Sequence, residues 1–478
     1  MTQRNLNDRK YTVNKKDTIN KKDAHKKGDF VGGKRTNVNI RTNVNIRAEA
    51  LKVLLTITQE NALSHMAIKE TLDAHRDWKK ADRAFLSRAV LGVLERQITI
   101  DWMINKISDT KTSDMDSWIL NLLRLGIYQL YYMEKVPDSA ICNEAVKLVK
   151  ASKLERLSGF VNAILRNAAR QNLLDELPKS NTVKDVSIRY SLPEWLINYW
   201  DEEVPIETVC AMGEAFLNEA PITIRANLSR ITTDELIKSL SEDGIKCTPV
   251  AGVPGAILIS QIDRLDSLKS FREGLFYVQD VSAMSVIDNL DIRNGMQILD
   301  VCAAPGGKAL HMAEKLNGSG LVEARDLTNK KVDLLKNAIA KSKLTNIRAV
   351  KGDALCYDSK WEKKADIVLA DLPCSGLGVI GRKPDIKNRV NIKSVMELAK
   401  MQQEILQIVC NYVKPGGILV YSTCTVSFDE NESNVNKFLH NTHGFVLESE
   451  RMRFPGINEG DGSYCAILRR KLAQNQEN

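Results

Sequence analysis

The 478-residue sequence predicts a multidomain chain: an all-α N-terminal bundle, a small α+β module and a C-terminal α/β domain. Three observations carry that expectation. Apolar residues recur at three- and four-residue steps throughout 47–171. The pattern is mixed over 172–274, where strand-like and helical runs follow one another. From 275 to 470 short apolar runs alternate with helical stretches, the signature of a parallel sheet with crossover helices.

Ahead of these segments, residues 1–46 are rich in Lys, Asn, Asp and Thr and contain RTNVNI twice in tandem, at 35–40 and 41–46. So little apolar surface cannot offset the entropy of ordering, and a basic, disordered tail is expected. Residues 1–47 hold 13 Lys/Arg against 4 Asp/Glu, and the remainder 55 against 56. The net charge of +8 is therefore a tail property and says little about the folded part. Hydrophobic and charged fractions of 43% and 27% are those of a soluble globular protein. No apolar stretch reaches membrane-spanning length and the N-terminus has no apolar signal core, so a cytoplasmic protein without membrane contact is expected. Nine cysteines without a CxxC pair give neither a disulfide framework nor a zinc ribbon, and free thiols suit a reducing compartment.

In the bundle, AEALKVLLTI, ADRAFLSRAVLGVLERQI, WILNLLRLGIYQLYYM and AICNEAVKLVKAS read as amphipathic helices, with a turn and helix start at Pro137-Asp138-Ser139. The module holds a helix opened by Pro193, a strand over 222–228, the helix TDELIKSLSEDG and a strand at AILISQ. In the last domain MQILDVC, GLVEARD, IRAVKGD, ADIVLAD and GGILVYSTC read as strands, and FVLESERMRF with SYCAILRR as an antiparallel hairpin on the sheet edge.

The ends of these strands carry the chemistry. In a parallel sheet, residues just beyond the carboxyl ends face the ligand crevice. After the strand ending at Asp300 comes Cys302-Ala303-Ala304-Pro305-Gly306-Gly307-Lys308, a glycine-bearing turn suited to close approach of a cofactor. It lacks the G-x-G-x-x-G spacing, which disfavours a dinucleotide. Asp326 ends the next strand, where a carboxylate can accept ribose hydroxyls, and Asp353 ends the third, in reach of an adenine amino group. A single Asp at such a place is commonly a helix cap; three acidic strand ends beside a glycine turn favour a nucleoside. S-adenosylmethionine has the ribose and adenine without a pyrophosphate, and the turn and Lys308 are candidates for its methionine part.

Cys374, in Asp371-Leu372-Pro373-Cys374-Ser375-Gly376, and Cys424, in Tyr421-Ser422-Thr423-Cys424, follow two further strands and sit in polar turns. Cys142, Cys210, Cys247, Cys356, Cys410 and Cys465 read instead as small apolar fillers. His311, His440 and His443 fall in helical or loop contexts, and no metal site is expected. Two thiols beside a methyl donor fit methylation of cytosine carbon-5. A thiolate adding to carbon-6 makes carbon-5 nucleophilic, an acidic group such as Asp371 engages N3, and a second thiol helps release the product.

DVCAAPGGK, DLPCSGLGVIGRKPDIK and YSTCTVSFDENE together resemble the RNA 5-methylcytosine methyltransferase family, Rossmann-like enzymes that use S-adenosylmethionine and two cysteines. LRLGIYQLYYMEKVPDSAICNEAVKLVK and SGFVNAILRNAAR resemble the NusB-like RNA-binding domain fused to its bacterial branch, the small-subunit methyltransferase B type acting on 16S ribosomal RNA. The resemblance covers about 47–470. It implies that Cys424 attacks the base, that Cys374 supports product release, and that Cys302–Lys308, Asp326, Asp353 and Asp371 contact the cofactor. It further implies 16S ribosomal RNA as partner; a monomer is expected. Leu372, Leu377, Ala309 and Gly381-Arg382-Lys383-Pro384 depart from the usual pattern. The same chemistry on transfer RNA, and an RNA-binding assembly factor, stay open as alternatives.

Overall fold

The computed structural model describes residues 45–219, 221–262 and 264–472. The expected tail over 1–46 lies outside them except for Asn45 and Ile46, which begin the first helix.

Seven helices build the N-terminal bundle: α1 (Ile46–Glu60), α2 (Ser64–Ala74), α3 (Lys80–Glu95), α4 (Gln97–Ile107), α5 (Ser117–Tyr132), α6 (Asp138–Lys150) and α7 (Ser158–Arg170). The ends are set locally. Asn45 and Asp116 cap α1 and α5 by accepting from two backbone amides each, satisfying groups a helix start leaves orphaned. The apolar stripes close into one core around Leu54, Leu94, Ile100 and Leu123. At Gly92 a Cβ would stand 1.9 Å from the Tyr128 ring, so only glycine lets α3 approach α5 there.

Three helices follow, α8 (Val183–Tyr190), α9 (Glu194–Asp201) and α10 (Ile206–Leu217). They share a core with Leu377, Ile380 and Val426 of the C-terminal domain, and Trp200 Nε1 donates to the Val426 carbonyl at 2.8 Å. Next comes a four-stranded antiparallel sheet in the order β2-β3-β1-β4, made of β1 (Ile222–Ala226), β2 (Lys246–Pro249), β3 (Ala256–Ser260) and β4 (Phe276–Val278). Helices α11 (Thr233–Glu242) and α12 (Lys269–Arg272) accompany it. Strand β4 belongs to this sheet although it begins past residue 275; pairing with β1 decides its allegiance, and pairing is invisible in a three-residue apolar run.

The C-terminal domain is a seven-stranded sheet ordered β10-β11-β9-β8-β5-β6-β7. Its parallel part is β5 (Gln297–Asp300), β6 (Leu321–Asp326), β7 (Ile347–Lys351), β8 (Ala365–Asp371) and β9 (Val413–Thr423). The hairpin β10 (Phe445–Arg453) and β11 (Ser463–Arg470) adds to β9 antiparallel. The helices are α13 (Val281–Asp288), α14 (Gly307–Lys315), α15 (Asn329–Ser342), α16 (Ile386–Arg389), α17 (Ile392–Val409) and α18 (Glu432–Asn441). Separate apolar clusters lie around Leu406 and Phe438 and around Leu310 and Met312.

Buried polar groups join the parts. Arg225 of β1 and Glu314 of α14 form a two-pronged ion pair at 2.9 and 2.7 Å, both side chains almost wholly buried. Breaking such a pair strands a charge, so Arg225→Met should cost about 3–5 kcal/mol, read as a lower thermal midpoint; adding Glu314→Met should restore most of it. The bundle is anchored through the segment after Cys374. Lys387 Nζ donates to the carbonyls of Glu95 (2.6 Å) and Ser191 (2.7 Å), and the Ser64 hydroxyl donates to Asp385. Among the described residues no helix is long and apolar enough to cross a membrane.

Candidate active site

The strand order β9-β8-β5-β6-β7 sets the carboxyl ends carrying Cys424, Asp371 and Cys374, the glycine turn, Asp326 and Asp353 side by side. Parallel register pairs Asp371 with Ser422. Ser422 Oγ donates to Asp371 Oδ1 at 2.8 Å, and Lys308 Nζ, from the first turn of α14, donates to Oδ2 at 2.7 Å. Burial opposes the Lys308 charge, but Asp371, together with Cys424 and Asp300, raises the ammonium pKa.

The two thiols meet: Cys374 Sγ and Cys424 Sγ are 3.2 Å apart. Cys424 is exposed and Cys374 half-buried. The hydrogen bond from Cys374 lowers the Cys424 pKa, helped by the charges of Lys308 and Lys383. The same interaction, with burial, raises that of Cys374. The two thiols thus differ in the direction of their shifts, and the lowered one is the candidate thiolate.

Both thiol turns hang on a buried polar network. Glu430, fully buried, accepts the Ser375 amide at 2.8 Å and Gln402 Nε2 at 3.0 Å. Gln402 Nε2 also donates to the Pro373 carbonyl, and the Ser375 and Thr425 hydroxyls lie 2.7 Å apart. Burial raises the Glu430 pKa, against the bonds from Ser375 and Gln402. Gly378 N donates to the Cys424 carbonyl at 3.3 Å, and a Cβ on Gly378 would sit 2.1 Å from the Gly462 carbonyl oxygen. Gly378→Ala should therefore cost about 1–3 kcal/mol by overpacking, measurable in thermal denaturation.

At the glycine turn, Gly306 has φ 119° and caps α14, a conformation that favours glycine. Asp326 is buried and braces the turn: it accepts the Ala304 amide at 3.1 Å and the Leu327 amide at 2.8 Å, and pairs with Lys331 at 3.1 Å. Asp353 is exposed and caps its own turn through the Leu355 amide at 2.9 Å. Asp300 accepts the Cys302 amide, and burial with the neighbouring Asp371 pushes its pKa up to about 8. Burial, with the charges of Asp300 and Asp326, also raises the pKa of the Cys302 thiol.

Sequence reasoning missed Gln279, Ser422, Gln402 and Glu430. Gln279 is 6% exposed, neither of its amide atoms has a protein partner, and its side chain lies 3.5 Å from where a Gly307 Cβ would stand. A buried donor and acceptor aimed at the turn fit a polar cofactor such as an amino acid carboxylate and amine. No motif marks Gln279, whereas Ser422 and Glu430 lie inside motifs read only for their cysteine. Of the supposed filler cysteines, Cys142 and Cys410 are buried, but Cys356 is exposed because it lies in the polar turn after β7. Leu372, Leu377 and Ala309, unusual for their motifs, are buried and fill core space. Arg382 is held by Asp280 (2.8 Å) and Asp461 (2.7 Å). Among the described residues no group of three or more His, Cys, Asp or Glu is arranged to hold a metal ion.

Comparison with known proteins finds relatives for each of the three parts of the chain. Residues 287–474 match the model of the 16S rRNA methyltransferase RsmB/F family, 44–170 the NusB family, and 192–264 the RsmF/B-like ferredoxin-like domain. The probable ribosomal RNA small subunit methyltransferase B of Bacillus subtilis (strain 168) is 32% identical over 391 residues, 82% of this chain and 87% of that protein. The ribosomal RNA small subunit methyltransferase B of Escherichia coli O1:K1 / APEC is 33% identical over 399 residues, 82% and 91% of the two chains. The crystal structure of PH0851 shares the fold with a TM-score of 0.75 at 24% identity, over 89% of this chain and 98% of that one. NSun6 from Pyrococcus horikoshii, solved with SFG, has a TM-score of 0.52 at 22% identity, over 58% and 98%. On the identity and coverage of these relatives, the chain belongs to the 16S ribosomal RNA methyltransferase RsmB/F family.

Proposed function

We propose that this protein transfers a methyl group from S-adenosylmethionine to carbon-5 of a cytosine in 16S ribosomal RNA through a covalent adduct with Cys424. The observation that carries the reading is the thiol pair at 3.2 Å beside Asp371 and Lys308. Cys302–Lys308, Asp326, Asp353 and Asp371 are proposed to hold the cofactor, with Gln279 added to them. S-adenosylmethionine supplies an electrophilic methyl group to carbon-5.

The residues divide the remaining work. Cys424, its pKa lowered, adds as thiolate to carbon-6 and pushes electron density onto carbon-5. Asp371, held by Ser422 and Lys308, orients the ring at N3, and it polarises the ring there when it carries a proton to donate. After methylation a water molecule takes the carbon-5 proton, the C–H electrons re-form the 5,6 double bond, and the carbon-6–sulfur bond breaks to expel the Cys424 thiolate. Cys374, its thiol against the Cys424 sulfur, assists that elimination. The target base is reached only from single-stranded RNA or flipped out of a helix.

The test is transfer of labelled methyl from S-adenosylmethionine to separated 16S, 23S and transfer RNA, with bisulfite mapping. One labelled cytosine in 16S RNA is expected. Label confined to transfer RNA overturns the substrate and keeps the chemistry; no label on any RNA overturns both.

A further inference from the structure

A second polar groove, of about 320 Å³, lies on one face of the β10–β11 hairpin against α13. Arg451 and Arg453 enter it from β10, together with Ser282, Ser285, Asn289, Ser449 and Ser463. The two arginines are separated by one residue on a strand, so they project to the same face about 6.5 Å apart. Neither forms an ion pair among the described residues; Arg453 donates only to the Glu459 carbonyl, at 3.3 Å. Elsewhere in this domain Arg325, Arg348, Arg382 and Arg469 all face carboxylates. Glu450, also at the groove, is engaged by the Tyr464 hydroxyl. Burial, and next the charge of Arg451, lower the Arg453 pKa, against the charges of Asp280 and Glu459. An anion shared by the two guanidiniums removes that mutual repulsion.

The groove is also in register with the reacting groups. Arg451 pairs with Cys465, Cys465 with Ser422, and Ser422 with Asp371. These four residues form one row across β10, β11, β9 and β8, with their side chains on one face. At about 4.8 Å per strand, the Arg451 backbone stands roughly 14 Å from that of Asp371.

We infer that Arg451 and Arg453 hold a backbone phosphate of the substrate RNA, beside the nucleotide whose base is seated at Cys424. A planar guanidinium pair with surrounding hydroxyls is the chemistry that recognises a phosphodiester. The inference rests on the RNA methylation reading for the identity of the anion, and its test separates the two.

Binding of the full chain to a 16S ribosomal RNA transcript is measured across a salt series for wild type, R451A/R453A and R451K/R453K. The alanine pair should bind roughly tenfold more weakly. Its log Kd against log salt should be shallower by about 0.7–0.9 for each phosphate no longer neutralised. The lysine pair, which keeps charge and fold but not the planar fork, should retain the wild-type slope with intermediate affinity. In turnover, the alanine pair should raise KM for RNA with kcat and S-adenosylmethionine binding unchanged. An unchanged slope and affinity overturn the inference, as does a wild-type protein that binds no RNA. An unchanged RNA slope in an alanine pair that no longer binds inorganic phosphate also overturns it, because the arginines then serve a free anion. A wild-type protein that binds RNA but methylates none overturns the methylation reading, while the slope comparison still decides the phosphate site.

Discussion

Cys424→Ala is expected to abolish methyl transfer, to below about one thousandth of the wild-type rate, the scale on which removal of a reacting group acts. In the proposed mechanism the Cys424 thiolate makes carbon-5 of cytosine nucleophilic, and its loss leaves that step without its nucleophile. Cofactor affinity should be unchanged, because the glycine turn, Asp326 and Gln279 come from segments that do not rest on Cys424. Equilibrium binding of S-adenosylmethionine and turnover on 16S RNA check the two halves of this expectation. Residual turnover within about tenfold of wild type would remove covalent catalysis by Cys424.

Replacing the other thiol should give the opposite kind of failure. In Cys374→Ala the addition and methylation steps remain, but elimination is slowed, so protein stays joined to RNA. A denaturing gel should show a slower band that both protease and ribonuclease remove, and Cys424→Ala added to the same chain should abolish it. Free turnover without that band would show that product release does not need Cys374. The pair also predicts a pH effect. The hydrogen bond from Cys374 is the largest cause lowering the Cys424 pKa, so removing it raises that pKa. Thiolate forms as pH rises through the pKa, so alkylation of Cys424 should accelerate at higher pH in Cys374→Ala than in wild type. Mass spectrometry of the alkylated peptide across a pH series reads this directly.

Much of the architecture was legible because it is written in short-range patterns. Three- and four-residue apolar steps gave the bundle helices, and apolar runs between helices gave the parallel strands and, beside them, the antiparallel edge hairpin. The site was legible where chemistry sits in contiguous motifs at strand ends: the Cys302–Lys308 turn, Asp371 with Cys374, and Cys424. Asp326 and Asp353 were legible only as acidic strand ends. Their surroundings differ, since Asp326 is buried and bonded to the turn while Asp353 is exposed and caps its own. What stayed hidden depends on residues far apart in sequence. Gln279 reaches Gly307 from the loop before α13, and Arg225 reaches Glu314 across 89 positions.

The sequence by itself determined which groups are available: two thiols, a glycine turn and acidic strand ends, each carried by a local motif whose backbone needs are met within a few residues. Only the tertiary structure decided which of those groups meet. Sheet order and register bring the turns of β8 and β9 together, and the buried Glu430 network holds them so that the sulfurs stand 3.2 Å apart. Strand pairing and burial are long-range, and they set both the proximity of the two thiols and the different surroundings that lower the pKa of Cys424 and raise that of Cys374.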